Sequence, residues 1–144
     1  MSENVKNNLS LDLWRELSST FEIIGKSHTK RMAHLKLTSP QYSVLDTLFN
    51  EGSMPLKTIS KRLNVTGANI TCVMDNLQKR NLAVRIPSKE DRRIINADLT
   101  KEGKKMVKKL TPLYLESINE ETKNLTDNEK KTLVELLVKL KNQE

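Results

Sequence analysis

Only three residues, Asn64-Val65-Thr66, separate two apolar patterns of helical period, and this spacing leaves the chain few ways to fold. Before the break, Leu56, Ile59 and Leu63 recur at intervals of three and four; after it, Ile70, Val73, Met74 and Leu77 do the same. Two short helices joined so tightly must pack against each other, with Val65 anchoring the turn and Thr66 capping the second helix. Directly afterwards the period changes. Leu82-Ala-Val-Arg-Ile86 and Ile94-Ile-Asn-Ala-Asp-Leu99 are short runs rich in β-branched residues, joined by a charged loop from Pro87 to Arg93, which predicts a β-hairpin.

The flanks are helical. Leu9, Leu13, Leu17, Phe21 and Ile24 predict an amphipathic helix over residues 9–32. Thr38-Ser-Pro-Gln41 has the form of a capping box with proline in the first turn, ahead of Tyr42, Leu45, Leu48 and Phe49, and Gly52 ends that helix. Pro55 is expected to open the short helix carrying Leu56. Thr100 caps a long helix towards Glu121, and Thr126-Asp-Asn-Glu129 forms a second capping box before Leu133, Leu136, Leu137 and Leu140. The expected fold is mainly α with a small β-hairpin wing: a winged helix-turn-helix at residues 37–103, framed by helices at 9–36 and 104–142, in one domain of 144 residues.

Charge narrows the function. Residues 53–110 hold 14 Lys and Arg against 5 Asp and Glu, a net +9, whereas the rest of the chain nets −2. A basic middle between near-neutral ends points to an anion-binding module, and duplex DNA is the commonest such partner, although charge alone equally describes a solvated lysine-rich surface. One cysteine and two histidines give neither a disulfide nor a clustered metal-ligand set. No nucleophile with a base and orienting partner, and no phosphate-cradling glycine loop, marks an enzyme, so neither catalytic residues nor a required cofactor are expected. No apolar run reaches the roughly 20 residues of a membrane span, and Met1-Ser2-Glu3-Asn4-Val5-Lys6 lacks the pattern of a secretory signal, so a cytoplasmic location is expected.

In a helix-turn-helix the second helix offers its exposed face to the major groove. Here that face begins with Thr66, Gly67, Ala68 and Asn69, followed by Thr71 and Cys72. Small residues at a helix N-terminus let backbone N–H groups approach a phosphate, while asparagine can pair with adenine and a threonine methyl can meet a thymine methyl. Taken alone, this helix is equally an ordinary polar surface. The hairpin tip, Ser88 to Arg93, shifts the balance, because arginine suits a narrow A·T-rich minor groove. Arg92 is the expected groove-inserting residue and Lys89 a phosphate contact, with Ser88, Arg85 and Arg93 completing the candidate DNA-binding set. Asp91 would be out of place beside phosphates unless it orients a neighbouring arginine, so it joins this set in a structural role, as partner to a neighbouring arginine.

At this point the residues resemble a family. Leu37-Thr38, Gln41, Val44-Leu45, Ile59-Ser60, Leu63-Asn64-Val65, Ile70-Thr71, Arg80-Asn81-Leu82 and above all Asp91-Arg92-Arg93 followed by Leu99-Thr100 and Gly103 look like the MarR family of winged-helix regulators. The resemblance covers roughly residues 37–106. Asn81 stands where the family usually has glycine, and Ala97 where it more often has valine. The resemblance implies a homodimer with intertwined terminal helices, usually a repressor of transcription bound to double-stranded DNA and often released by a small ligand or oxidant. Apolar residues of the terminal helices, including Trp14, Phe21, Leu113 and Ile118, are the expected dimer surface. His28, with Met32 and Tyr42, is the candidate lining of a small-molecule site. A redox role for Cys72 has no support from its neighbours, and the thiol-sensing branch of the family carries its cysteine in the first helix, where this chain has none.

Overall fold

The computed structural model describes residues 8–142, so the expectation drawn from residues 1–6 lies outside the described part. In chain order the elements are α1 (Leu9–His34), α2 (Ser39–Glu51), β1 (Met54–Pro55), α3 (Leu56–Arg62), α4 (Gly67–Lys79), β2 (Ala83–Pro87), β3 (Ile95–Leu99), α5 (Lys101–Glu121) and α6 (Asp127–Lys141). The fold is thus mainly helical with a small antiparallel sheet, as the patterns predict.

The helix ends follow local chemistry. At α2 the Thr38 hydroxyl accepts from the Gln41 N–H at 3.3 Å while the Thr38 N–H donates to the Gln41 side chain at 3.0 Å, and Gly52, at φ 83°, closes the helix. Thr126 and Glu129 repeat the same reciprocal pair at α6.

One strand was not legible in the pattern. β1 pairs with β3, placing Met54 opposite Ala97, so the hairpin becomes a three-stranded sheet in the order β1-β3-β2. Pro55 therefore ends a strand and takes the position before α3 without a capping hydrogen bond, and the helix itself begins at Leu56. A two-residue strand containing proline has no period to read, and its partner lies over forty residues away. β3 is consequently central, and Ala97, opposite both Met54 and Arg85, is fully buried.

Packing divides the chain into two compact units. The winged unit, Met32–Tyr114, holds the core: Val44, Leu45 and Leu48 of α2, Ile59 of α3, Ile70, Met74 and Leu77 of α4, and Val107 and Leu110 of α5. Its limits fall inside α1 and α5, outside the 37–103 segment of the sequence reading, because the last turn of α1 and the first half of α5 bury Met32, Val107 and Leu110 in this core. The α5 start is set by a tight junction. The Thr100 hydroxyl accepts from the Gly103 N–H at 2.9 Å and donates to the Asn81 carbonyl at 2.7 Å. Asn81 adopts φ 55°, a left-handed conformation that asparagine tolerates in place of glycine.

The helical unit comprises α1 up to Arg31 and the chain from Leu115 onwards. Within it, Glu121 accepts from the Ser27 hydroxyl at 2.6 Å and from Arg31 Nε at 2.7 Å, and the Ser27 hydrogen bond, aided by Arg31, holds its carboxyl below the usual range. Much of its apolar surface is bare: Trp14, Phe21, Leu115, Leu133 and Leu136 are exposed, and among the described residues of α6 none is buried.

Candidate nucleic-acid interface

The turn between α3 and α4 is built by local bonds. Asn64 takes φ 52°, the Val65 N–H reaches the Ser60 carbonyl at 3.0 Å, and the Ser60 hydroxyl donates to the Val65 carbonyl at 3.1 Å. Val65 packs partly against the core. Thr66 then caps α4, its hydroxyl accepting from the Asn69 N–H at 3.2 Å. Ile70, Val73, Met74 and Leu77 are buried, which turns the remaining circumference of α4 to solvent. Gly67, Ala68, Asn69, Thr71 and Cys72 all lie on that exposed side. The Thr71 hydroxyl back-bonds to the Gly67 carbonyl at 2.9 Å, which orients the side chain on the helix surface.

The wing tip is a turn in which the Ile94 N–H reaches the Asp91 carbonyl at 2.9 Å and the Ser88 N–H reaches the Ile94 carbonyl at 2.8 Å. Asp91 occupies the first turn position, where its carboxylate accepts from the Arg93 backbone N–H at 3.0 Å, the usual local bond of an aspartate in a turn. The Arg93 guanidinium closes on the same carboxylate through Nε and Nη2, each at 3.0 Å, and this bond above all holds the Asp91 carboxyl below its ordinary value. Arg92 is left at the tip, exposed, with no polar partner among the described residues, and Lys89 is exposed beside it. Ser88 is half-buried and accepts from the Glu90 N–H at 3.3 Å, so its hydroxyl shapes the turn.

Arg85 behaves differently from the other sequence candidates. It sits on β2, and its side chain reaches α4: Nη1 donates to Gln78 Oε1 at 3.0 Å, while Nη2 lies 2.7 Å from Asp75 Oδ1 and 3.3 Å from the Thr71 carbonyl. Asp75 and Gln78 were not among the residues picked out by sequence. Their signal is weak, since an exposed acid and amide on a helix become meaningful only once β2 is known to run alongside.

Of the small-molecule candidates, Met32 and Tyr42 lie in the winged unit. Met32 is fully buried in the winged core, and Tyr42 stacks on Tyr114 with ring centroids 4.1 Å apart while its hydroxyl meets that of Thr111 at 3.1 Å. Burial raises the pKa of Tyr42. His28 belongs to the helical unit. A groove of about 660 Å³ in the winged unit is lined by Lys36, Arg80, Leu82, Met106 and Lys109, among others. Among the described residues there is no cluster of three or more metal-ligating side chains, and no helix is long and apolar enough to cross a membrane.

This geometry has relatives. Residues 37–95 match the MarR family. The HTH-type transcriptional regulator MhqR of Bacillus subtilis is 28% identical over 128 residues, covering 89% of this chain and 88% of that protein. The HTH-type transcriptional repressor YetL of the same organism is 32% identical over 130 residues, covering 89% and 78%. Among solved structures, a mutant of MarR from E. coli complexed with operator DNA superposes with a TM-score of 0.82 at 24% identity, covering 94% of this chain and 99% of that one. BpsR of Bordetella bronchiseptica, whose DNA binding is regulated by 6-hydroxynicotinic acid, superposes at 0.83 with 22% identity, covering 96% of each chain.

Proposed function

Because the chain belongs to the MarR family and is accordingly a DNA-binding transcriptional regulator, not an enzyme, we propose that it acts as a homodimeric cytoplasmic repressor on a palindromic operator, released by a small molecule or stress signal. In this reading α4 enters the major groove, with Asn69 and Thr71 at base edges and the N-terminal turn from Thr66 to Ala68 against a phosphate. Cys72 lies at the edge of that contact. Arg92 enters the adjacent minor groove and Lys89 pairs with the backbone, while Asp91, Arg93 and Ser88 hold the tip in shape. The observation that carries the reading is the exposed Arg92, without a polar partner among the described residues, at the apex of a turn whose acid is already paired with Arg93.

Dimerisation would set two α4 helices about 34 Å apart, one turn of DNA. The bare apolar surface of the helical unit supports it. Repression is supported by the description of YetL as a repressor, and release by a ligand by the regulation of BpsR. The trio His28, Met32 and Tyr42 serves as an effector site only if the core around Met32 and Tyr42 opens.

Selection of bound duplexes from a random pool, repeated with Asn69→Ala, tests the assignment. A palindromic consensus is expected from the native protein, with preference relaxed at one position per half-site by about 1–3 kcal/mol in the variant. Recovery of no duplex at low salt would sink it.

A further inference from the structure

Arg85 meets α4 at Thr71, Asp75 and Gln78, positions spaced by four and three that form one stripe along two turns of the helix. The planar guanidinium spans that stripe as a fork, which a lysine ammonium cannot do. Its opposite end is anchored where β2 pairs with the central strand, Arg85 facing the fully buried Ala97. The Arg85 side chain is 27% exposed, and three protein acceptors already engage its Nη atoms. Three of its five N–H donors are thus committed to protein acceptors, both of those on Nη2 among them, so a two-pronged contact with a phosphate or base would displace at least one.

We propose that Arg85 is a positioning residue for DNA recognition: a strut between wing and recognition helix that holds Arg92 in fixed phase with Asn69 and Thr71. The proposal rests on the DNA-binding reading above and sharpens it. Helix and wing address two grooves, so binding both at once needs the distance between them preset; a wing free to swing gives up part of its contact to ordering. The bond to the Thr71 carbonyl makes the link direct, because Thr71 is itself a candidate base contact. Asp75 and Gln78 then matter for binding without touching DNA.

The test uses the full-length protein with Asp75→Asn, Gln78→Ala, Arg85→Lys and the exchange Arg85→Asp with Asp75→Arg. In the absence of DNA, residual dipolar couplings of the wing amides at residues 88–94 are compared with those of α4. One common alignment is expected for the native protein, and reduced wing couplings with unchanged α4 couplings for Asp75→Asn. Operator affinity should fall about fivefold in Asp75→Asn, and the penalty of Arg92→Ala should shrink in that background, the coupling expected of residues acting as one unit. Partial recovery in the charge exchange supports the strut. If Asp75→Asn leaves affinity unchanged or tightens it, the Arg85 strut is not needed for recognition and the proposal is overturned; unchanged wing couplings overturn it as well. Failure of the native protein to bind any duplex would instead overturn the DNA-binding reading, while the couplings still judge the strut.

Discussion

Asp91 and Arg93 lock onto each other across the turn at the wing tip, the guanidinium donating to both carboxylate oxygens at 3.0 Å while the Arg93 backbone N–H bonds the same acid. The two arginines that adjoin in sequence thereby acquire separate tasks. Arg93 is paired with the acid inside the turn, and Arg92 stays exposed, with no polar partner among the described residues.

Arg92→Ala is therefore expected to weaken binding to duplexes of any sequence and to lower the slope of log affinity against log salt by about one. Titrations at several salt concentrations measure both. An unchanged slope would remove Arg92 from the set of DNA contacts.

The wing should also respond to acid with a defined sign. The Asp91 carboxyl lies below its ordinary value because of Arg93, so the turn is stabilised at and above the usual carboxylate range and loses that support as pH falls through the lowered value. The Arg93 amide resonance, followed by NMR, should shift on acidification in the native protein and not in Asp91→Asn. A resonance flat with pH in the native protein would contradict the turn bond.

Gly103→Ala tests the junction that carries the wing into α5. A methyl at this position would meet the Leu82 carbonyl oxygen at 1.9 Å, and that atom belongs to the backbone. Alanine favours helix by about 1 kcal/mol over glycine, yet the clash should outweigh this and leave a net loss of about 1–3 kcal/mol, read as a lower urea midpoint. A gain in stability would show that α5 can move off Leu82.

Phe21, 81% exposed on α1, is the sharpest test of self-association. Burial of a phenylalanine stabilises by about 1.5–3 kcal/mol, so Phe21→Glu should shift sedimentation towards the monomer and weaken operator binding with helicity retained. A native protein that sediments as a monomer at all concentrations would exclude the dimer.

Much of this fold was legible in local chemistry. Thr38 with Gln41, and Thr126 with Glu129, cap their helices as the spacing requires, and Ile70, Val73, Met74 and Leu77 are buried as their period predicts, because caps and amphipathic stripes are decided within one turn of chain. The left-handed Asn81 and the charged hairpin tip belong to the same class. Tertiary structure alone decided the rest. β1 exists only because β3 supplies its partner, and Arg85 faces α4 only because β2 runs beside it. Likewise, Tyr42 stacks on Tyr114, a contact that only the packing of α5 supplies. The three-residue break at Asn64-Val65-Thr66 was enough to specify the helix pair, since so short a turn admits few geometries. Contacts between residues far apart in the chain leave no period in it, and so the partners of Met54 on β3 and of Arg85 on α4 appear only in the folded chain.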